Sequence, residues 1–340
     1  MSRNYLYGLG KKVYRNLTHP ALLGRRLLIF LYRCRLLSDK RFISLRFRLA
    51  LGYAMDWEHP RTFQEKLQWL KLYDRRPEYT VMVDKVKAKE WVAERIGRKY
   101  IIPTLGVWER AEDVDFDALP DKFVIKCNHT SGLGNIICKD KSQLDVRRVR
   151  KELRKGLRDD YSRRSGEWPY RDIPRRIIAE EYMEDKEHSG DLIDYKFFCF
   201  SGEPYYCQVI RDRSSCETID FYDMDWKHQE FIGLLPIARM SLQTIHNGET
   251  SVDKPVRLEL MKELCRKLAQ GLPFARVDFY IIADREYFGE ITFFPAGGMG
   301  RFVPNEWDIK LGDLLKLPIS VPLKSGQINI NQTIPEKGKN

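Results

Sequence analysis

Two groups of residues in this chain have the type and spacing to do chemistry. Lys126 lies inside an apolar run, Phe123-Val-Ile-Lys126-Cys127, just ahead of Ser131-Gly132-Leu133-Gly134. A lysine in apolar surroundings is costly unless its ammonium has a partner. A polyphosphate would supply one, and Gly132 and Gly134 would let backbone N–H groups approach its oxygens. The plainer reading keeps Lys126 on an edge strand, reaching solvent, with the glycines serving only the turn. The second group is Asp278 and Glu290, each in an apolar stretch. Neighbouring antiparallel strands can bring such carboxylates together, where their repulsion must be relieved by a cation. Few protein ligands and hard oxygens suit Mg²⁺ held between carboxylates and substrate phosphates. Arg276, two residues before Asp278, points to the same face of its strand. It could stabilise a phosphate or a developing oxyanion, or form an ordinary salt bridge with Asp278 or Glu290. Neither GxxxxGK[ST] nor a strand–GxGxxG–helix is present, which disfavours P-loop and Rossmann sites.

The patterning around these residues predicts elements that could position them. Residues 1–75 read as helical, including 23–37 and 63–73, and a further helix spans 84–96 before Gly97. From residue 122 the period turns to strands: a hairpin over 123–138 with the glycine-bearing tip, and a buried strand at 177–183 ending in acids. Two more hairpins cover 194–210, turning at Ser201-Gly202-Glu203-Pro204, and 274–293, turning at Asp284-Arg285-Glu286. An amphipathic helix over 254–270 lies between them, closed by Gly271. The domain expectation is a basic helical region over 1–75, a catalytic region over 76–320 and a polar tail over 321–340.

The chain has 340 residues, a net charge of +11, 43% hydrophobic and 31% charged residues. That is the composition of a folded, water-soluble protein. The positive excess is concentrated in residues 1–50, which suits an anionic partner without choosing among them. Residues 23–37 mix Leu, Ile, Phe and Tyr with Arg25, Arg26, Arg33 and Arg35. They read first as a helix packed on the next domain, and second as an interfacial helix making peripheral membrane contact. The longest apolar run there is six residues, far short of the ~20 needed to span a bilayer. With no secretory h-region in sight, a cytoplasmic location is expected. Seven cysteines at spacings without CxxC read as buried free thiols. Without a helix-turn-helix, zinc finger or RNP stretch, no nucleic-acid partner is expected.

The order of these pieces resembles the ATP-grasp enzymes, and among them the TupA-like family of teichuronopeptide and capsular polysaccharide clusters. The matching stretches are Pro60-Arg-Thr-Phe-Gln-Glu-Lys-Leu-Gln-Trp69, Asp84-Lys85, Phe123-Val-Ile-Lys-Cys-Asn-His129, Asp194-Tyr-Lys-Phe-Phe-Cys-Phe200, Phe221-Tyr-Asp-Met-Asp-Trp226, Arg276-Val-Asp-Phe-Tyr280 and Gly289-Glu-Ile-Thr-Phe-Phe-Pro-Ala-Gly297. They span about residues 58–318. The site layout is similar to that of D-alanine–D-alanine ligase. The resemblance implies an α+β ATP-grasp fold with an N-terminal helical extension, and ATP and Mg²⁺ as cofactors. It further implies that Lys85 and Lys126 meet nucleotide phosphates, that Glu180, Glu181 and Met183 frame adenine and ribose, and that Lys196 faces the nucleotide. Asp278 and Glu290 would hold Mg²⁺, with Arg276 near the acyl phosphate. Related ligases carry Asn two residues after the metal-binding Glu. This chain has Thr292, whose hydroxyl can still ligate a metal or bond a metal-bound water.

The implied activity is ATP-dependent joining of a carboxylate to an amine through an acyl phosphate, on a cell-surface polysaccharide or its precursor. The expected partners are ATP, a carboxylate-bearing sugar or glycan and an amine donor. His129 could act as base for the amine or hold a structural hydrogen bond. Two alternatives stand beside this reading. One is a sugar or polyol kinase on the same fold. The other is a glycosyltransferase, for which Asp223-Met-Asp225 has a DxD-type spacing.

Overall fold

The computed structural model describes residues 20–184, 192–212, 217–235, 247–248 and 250–318. Helices come first: α1 (Pro20–Arg33), α2 (Asp39–Leu51), α3 (Phe63–Tyr73), α4 (Glu78–Val83) and α5 (Lys87–Ile96). The start of α3 is set by a reciprocal cap. Thr62 Oγ1 accepts from the Glu65 amide at 3.2 Å, and the Glu65 carboxylate accepts from the Thr62 amide at 3.0 Å. The expected helix over 84–96 is shorter at its start, because the Asp84 side chain accepts from the Val86 amide at 2.9 Å. That local bond competes with helical pairing and turns the chain at Lys85.

Two antiparallel sheets follow. The smaller has the order β1-β4-β2-β3, from β1 (Thr104–Trp108), β2 (Phe123–Cys127), β3 (Ile136–Cys138) and β4 (Ile177–Glu181). Helix α6 (Val146–Arg158) covers it, with Val149 and Leu153 packed on Phe123, Ile125 and Ile177; the short α7 (Tyr161–Ser165) comes next. The larger sheet has the order β11-β10-β5-β6-β7-β8. Its strands are β5 (Asp194–Phe200), β6 (Glu203–Arg211), β7 (Thr218–Asp223), β8 (His228–Gln229), β10 (Phe274–Ile282) and β11 (Arg285–Thr292). A two-stranded ribbon joins β9 (Ile232–Leu235) to β12 (Arg301–Val303), and α8 (Leu258–Ala269) and α9 (Glu306–Leu314) complete the order.

The main core lies on the larger sheet. Every residue of β5 is buried, and Phe63 of α3 closes the space above it, its ring centroid 5.0 Å from Phe274 and 5.9 Å from Phe200. Such aromatic contacts add to the area they remove from water. Helix α3 therefore belongs to this core, whereas the sequence groups it with the N-terminal region. By contrast, α1 and α2 pack in two smaller clusters, one joining Tyr32 to Phe42 and Ile43, the other joining Phe47 and Ala50 to Met55 and Met299. Among the described residues, no helix is long and apolar enough to cross a membrane. Five of the six described cysteines are buried and free, and Cys34 is exposed; Cys216 lies outside the described residues.

Candidate active site

On the smaller sheet, β2 and β4 pair so that Lys126 lies opposite Ile178 and Val124 opposite Glu180. Ile178 and Glu180 share a face, so Lys126 and Glu180 point the same way and form an ion pair. Lys89, in the first turn of α5, reaches the same carboxylate at 2.6 Å and donates to the Ile102 carbonyl at 2.6 Å. Burial alone would raise the Glu180 pKa, but Lys126 and Lys89 outweigh it and lower it. Lys85 donates to the Thr130 carbonyl at 2.6 Å. Burial lowers its pKa and Lys126 adds to that, while Glu290 and Glu180 oppose it. Glu290 belongs to the other sheet, so the charged faces of the two sheets are within electrostatic reach across Lys85.

A buried network fixes Lys85. Asp84 is 1% exposed. Its carboxylate accepts from Asn128 Nδ2 at 2.8 Å and from Arg176 at 3.3 Å. Asn128 in turn accepts from the Arg176 amide at 2.7 Å, and its carbonyl takes the Lys85 amide at 3.3 Å. The end of β2 and the α4–α5 turn are thereby tied together, and both lysines are aimed by one element pair.

On the larger sheet, β10 and β11 run in register as far as Val277 opposite Ile291, then slip at a bulge before Phe279 opposite Phe288. Two residues, Gly289 and Glu290, sit opposite Asp278 there. A Cβ at Gly289 would come within 3.1 Å of the Tyr280 ring and 3.3 Å of the Asp278 carbonyl, so glycine suits the close approach at the bulge. The bulge brings Asp278 and Glu290 around one guanidinium. Arg276 Nη2 lies 2.7 Å from Asp278 and 2.9 Å from Glu290, and donates to Thr292 Oγ1 at 3.0 Å. Lys196, opposite Asp278 on β5, pairs with Asp278 and lies 3.1 Å from Asp194. Burial raises the Asp278 pKa against the pull of Arg276 and Lys196. Glu290 keeps half of its side chain exposed, and Arg276, Lys196, Lys85 and Lys126 outweigh the desolvation by neighbouring protein and bring its pKa down to about 2. Asp278 and Arg276 are therefore partners, as one of the two sequence readings had it. Among the described residues no cluster of three or more His, Cys, Asp or Glu side chains could hold a metal. Two carboxylates beside a hydroxyl are what remains, a donor set that suits a cation completing its shell with substrate oxygens and water.

The glycine tip has positive φ at both Gly132 (83°) and Gly134 (71°). Gly132 faces open space, whereas a Cβ at Gly134 would meet Cys127 Sγ at 3.0 Å and the Gly156 backbone at 3.4 Å. One glycine keeps the tip clear; the other lets the hairpin pack on α6. Glu181 is exposed at the end of β4, its amide donating to the Pro103 carbonyl at 3.1 Å, and Met183 is half-buried just beyond. His129 is buried, with Nδ1 3.4 Å from Asn128 Oδ1 and Nε2 3.2 Å from the Asp159 carbonyl. Both ring nitrogens face protein groups, and burial lowers its pKa.

Sequence reasoning passed over Lys89, Asn128 and Tyr170. Lys89 follows Lys85 by four residues, a helical spacing that could have flagged it. Tyr170 lies close enough to Glu290 and Arg276 to feel their charge, though burial is the main reason its pKa is pushed up. Asp223 and Asp225 prove to be a turn. Asp223 Oδ1 accepts from the amides of Asp225 at 3.0 Å and Lys227 at 2.9 Å, and Oδ2 accepts from Gln229 at 3.2 Å. The spacing that suggested a nucleotide-sugar metal site is accounted for by this turn between β7 and β8.

The family model described as TupA-like ATPgrasp matches residues 65–316. No curated protein matches the chain in sequence. Among solved structures, the D-alanine–D-alanine ligase of Bacillus anthracis complexed with ATP is similar at TM-score 0.40 and 16% identity, over 69% of this chain and 63% of that one. The D-alanine–D-alanine ligase of Helicobacter pylori is similar at TM-score 0.39 and 17% identity, over 74% and 69%. The ATP-grasp ligase PsnB, complexed with minimal precursor, Mg and ADP, is similar at TM-score 0.36 and 12% identity, over 75% and 62%. The chain thus spans less than two thirds of the length of the Bacillus anthracis ligase and of PsnB.

Proposed function

The chain belongs to the TupA-like ATP-grasp family, and from that premise we propose that it is an ATP-dependent carboxylate–amine ligase. Its reaction passes through an acyl phosphate, and one substrate is a cell-surface polysaccharide or its precursor. One observation carries the reading: Lys126 on the smaller sheet, with Lys85 tied beside it in the α4–α5 turn, lies within electrostatic reach of Glu290 and Arg276 on the larger sheet. A nucleotide triphosphate with a divalent cation has the charges to fit between them. The polyanionic acceptor is supported by the positive excess of the chain, +11.

In this mechanism Lys126 and Lys85 exchange Glu180 and the Thr130 carbonyl for phosphate oxygens. Gly132, which carries no side chain into open space, lets the loop backbone approach the same phosphates. Glu181 and Met183 at the end of β4 frame the base and ribose, and Lys196, opposite Asp278 on the larger sheet, faces the nucleotide. Asp278 and Glu290 would hold Mg²⁺, with Thr292 beside them; when bound, the ion offsets charge on the transferring phosphoryl group. A carboxylate oxygen of the substrate attacks the γ-phosphorus and ADP leaves. A neutral amine then adds to the acyl carbon, Arg276 stabilises the oxyanion, the nitrogen gives up its surplus proton to water, and phosphate departs as the amide forms. No proton-transfer role is proposed for His129, whose nitrogens face protein groups.

The test is calorimetric titration of ATP with and without Mg²⁺ into wild type, Lys126→Ala and Glu290→Gln, followed by turnover with hydroxylamine as amine. Removal of one charge-stabilising donor is expected to lower turnover on the order of 10²-fold. Hydroxamate formation with ADP release supports the ligase. ADP release with a phosphorylated alcohol and no hydroxamate replaces it with a kinase. Absence of ATP binding in folded wild type sinks both.

A further inference from the structure

Helix α1 is apolar on two opposite sides. Tyr32 is buried, and half-buried Leu28 and Ile29 pack with it against Phe42 and Ile43 of α2. On the far side Leu23, Leu27 and Phe30 are 55%, 57% and 61% exposed. Their spacing of four and three residues aligns them in one stripe. Leu49 of α2 lies against Gly24, 3.4 Å from where a Cβ would be, and Leu45 is one turn before it. Leu45 and Leu49 are themselves 45% and 37% exposed, so the apolar surface widens across both helices. A soluble protein scatters exposed leucines singly; a contiguous group marks a docking surface.

Charge says what docks there. Residues 20–50 hold eight Arg and Lys against one acid, Asp39. Arg33, near the C-terminal end of the stripe, also lines a cavity of about 580 Å³ whose other cationic walls are Arg35, Lys155, Arg158 and Arg163. Leu133 of the glycine loop and the acids Asp159 and Asp160 complete it. Arg33 is 3.3 Å from Asp159 yet its side chain remains 44% exposed.

We propose that α1, α2 and this cavity form a docking surface for an anionic lipid bilayer, with the stripe entering the acyl boundary and the cavity taking a lipid phosphate. An apolar ridge edged by arginines matches a surface that is anionic above and apolar beneath. A free phosphate would leave the stripe unexplained, and an apolar protein groove would leave the arginines unexplained. At ~1.5 Å per residue α1 is about 21 Å long, short of the ~30 Å hydrocarbon core, so it lies in the interface plane. Leu133 belongs to the glycine loop assigned to the nucleotide, but the leucine, phenylalanine and arginine side chains that carry the inference lie outside the charged cleft, so it does not rest on the ligase reading.

The experiment is sedimentation of the full chain with phosphatidylglycerol vesicles, with phosphatidylcholine vesicles and with inorganic phosphate as competitor. Wild type should bind the anionic vesicles, lose binding in high salt and ignore the neutral ones. Leu27→Ser with Phe30→Ser should weaken binding at least about 100-fold, and Arg33→Gln with Arg35→Gln roughly 30-fold. All four side chains are exposed, and unchanged thermal unfolding midpoints would show that the variants fold. Equal binding to both vesicle types, or vesicle binding untouched by Leu27→Ser with Phe30→Ser, overturns the proposal. So does a dimer that Leu27→Ser disperses and vesicles do not, or saturable phosphate binding without vesicle binding.

Discussion

The two faces of the cleft hold their charges on different terms. On the larger sheet Asp278 is 1% exposed and is held by both Arg276 and Lys196, while Lys196 also lies against Asp194. This half is assembled before any ligand arrives. On the smaller sheet the lysines rest on partners a ligand can replace: Lys126 and Lys89 share Glu180, and Lys85 sits on a backbone carbonyl. The Lys126 side chain is 21% exposed. A preassembled half sets where the reaction occurs, and an exchangeable half can trade internal pairs for phosphate at little net cost.

Lys196→Met is expected to have the largest effect on stability. It leaves Asp194 and Asp278 without their shared cation, and breaking a buried pair in this way costs about 3–5 kcal/mol. Arg276 still holds Asp278, which places the loss toward the lower end. Lys126→Met leaves Glu180 with Lys89 and removes a lysine that is itself partly exposed, so it should cost less than Lys196→Met, with its main effect on nucleotide binding. Urea unfolding of the two variants, with ATP titration in parallel, checks the contrast. Equal stability losses would mean that both halves are equally rigid and that the comparison fails.

The two glycines of the loop sharpen the contrast at intermediate size. Both have positive φ, so alanine at either costs about 1–2 kcal/mol from backbone strain. At Gly134 the new methyl also meets Cys127 Sγ at 3.0 Å and presses the loop off α6. At Gly132 it meets nothing within 4 Å. Gly134→Ala should therefore lower the unfolding midpoint more, and Gly132→Ala should weaken ATP binding more for each unit of stability lost. The reverse order would place the phosphates elsewhere than at the open tip.

How far the sequence discloses this site depends on how local each contact is. The metal half is a hairpin of adjacent strands, and alternation alone puts Arg276 and Asp278 on one face with Glu290 nearby. The bulge at Gly289 was out of reach, because a register slip leaves no mark on composition. The turn also moved: Ala283 and Asp284, both with positive φ, make it in place of residues 284–286. The lysine half joins β2 to β4 across some fifty residues, so nothing in the order of residues announces that Glu180 is the partner of Lys126. Helix α4 was missed because its six residues are too few to show a period. Asp223-Met-Asp225 is the opposite case, a legible spacing whose carboxylate is consumed by its own turn.

A separate, pH-dependent effect lies away from both faces, where α9 meets α3. Asp308 of α9 is 4% exposed and accepts from the Gln64 amide of α3 at 3.0 Å. Burial is the main cause that raises its pKa from 3.8 to about 7, with Glu65 adding to it. Folding thus favours the protonated form. The stabilising contribution is fully present below the ordinary carboxylate value and is lost as pH rises through about 7. Wild type should therefore lose stability between about pH 4 and 7 relative to Asp308→Asn, which keeps the acceptor and cannot ionise. Thermal unfolding of both across that window gives the measurement. The two curves should lie close at pH 4, with Asp308→Asn the more stable at pH 7. Parallel curves would show that Asp308 keeps one protonation state throughout and that the α3–α9 contact is insensitive to pH.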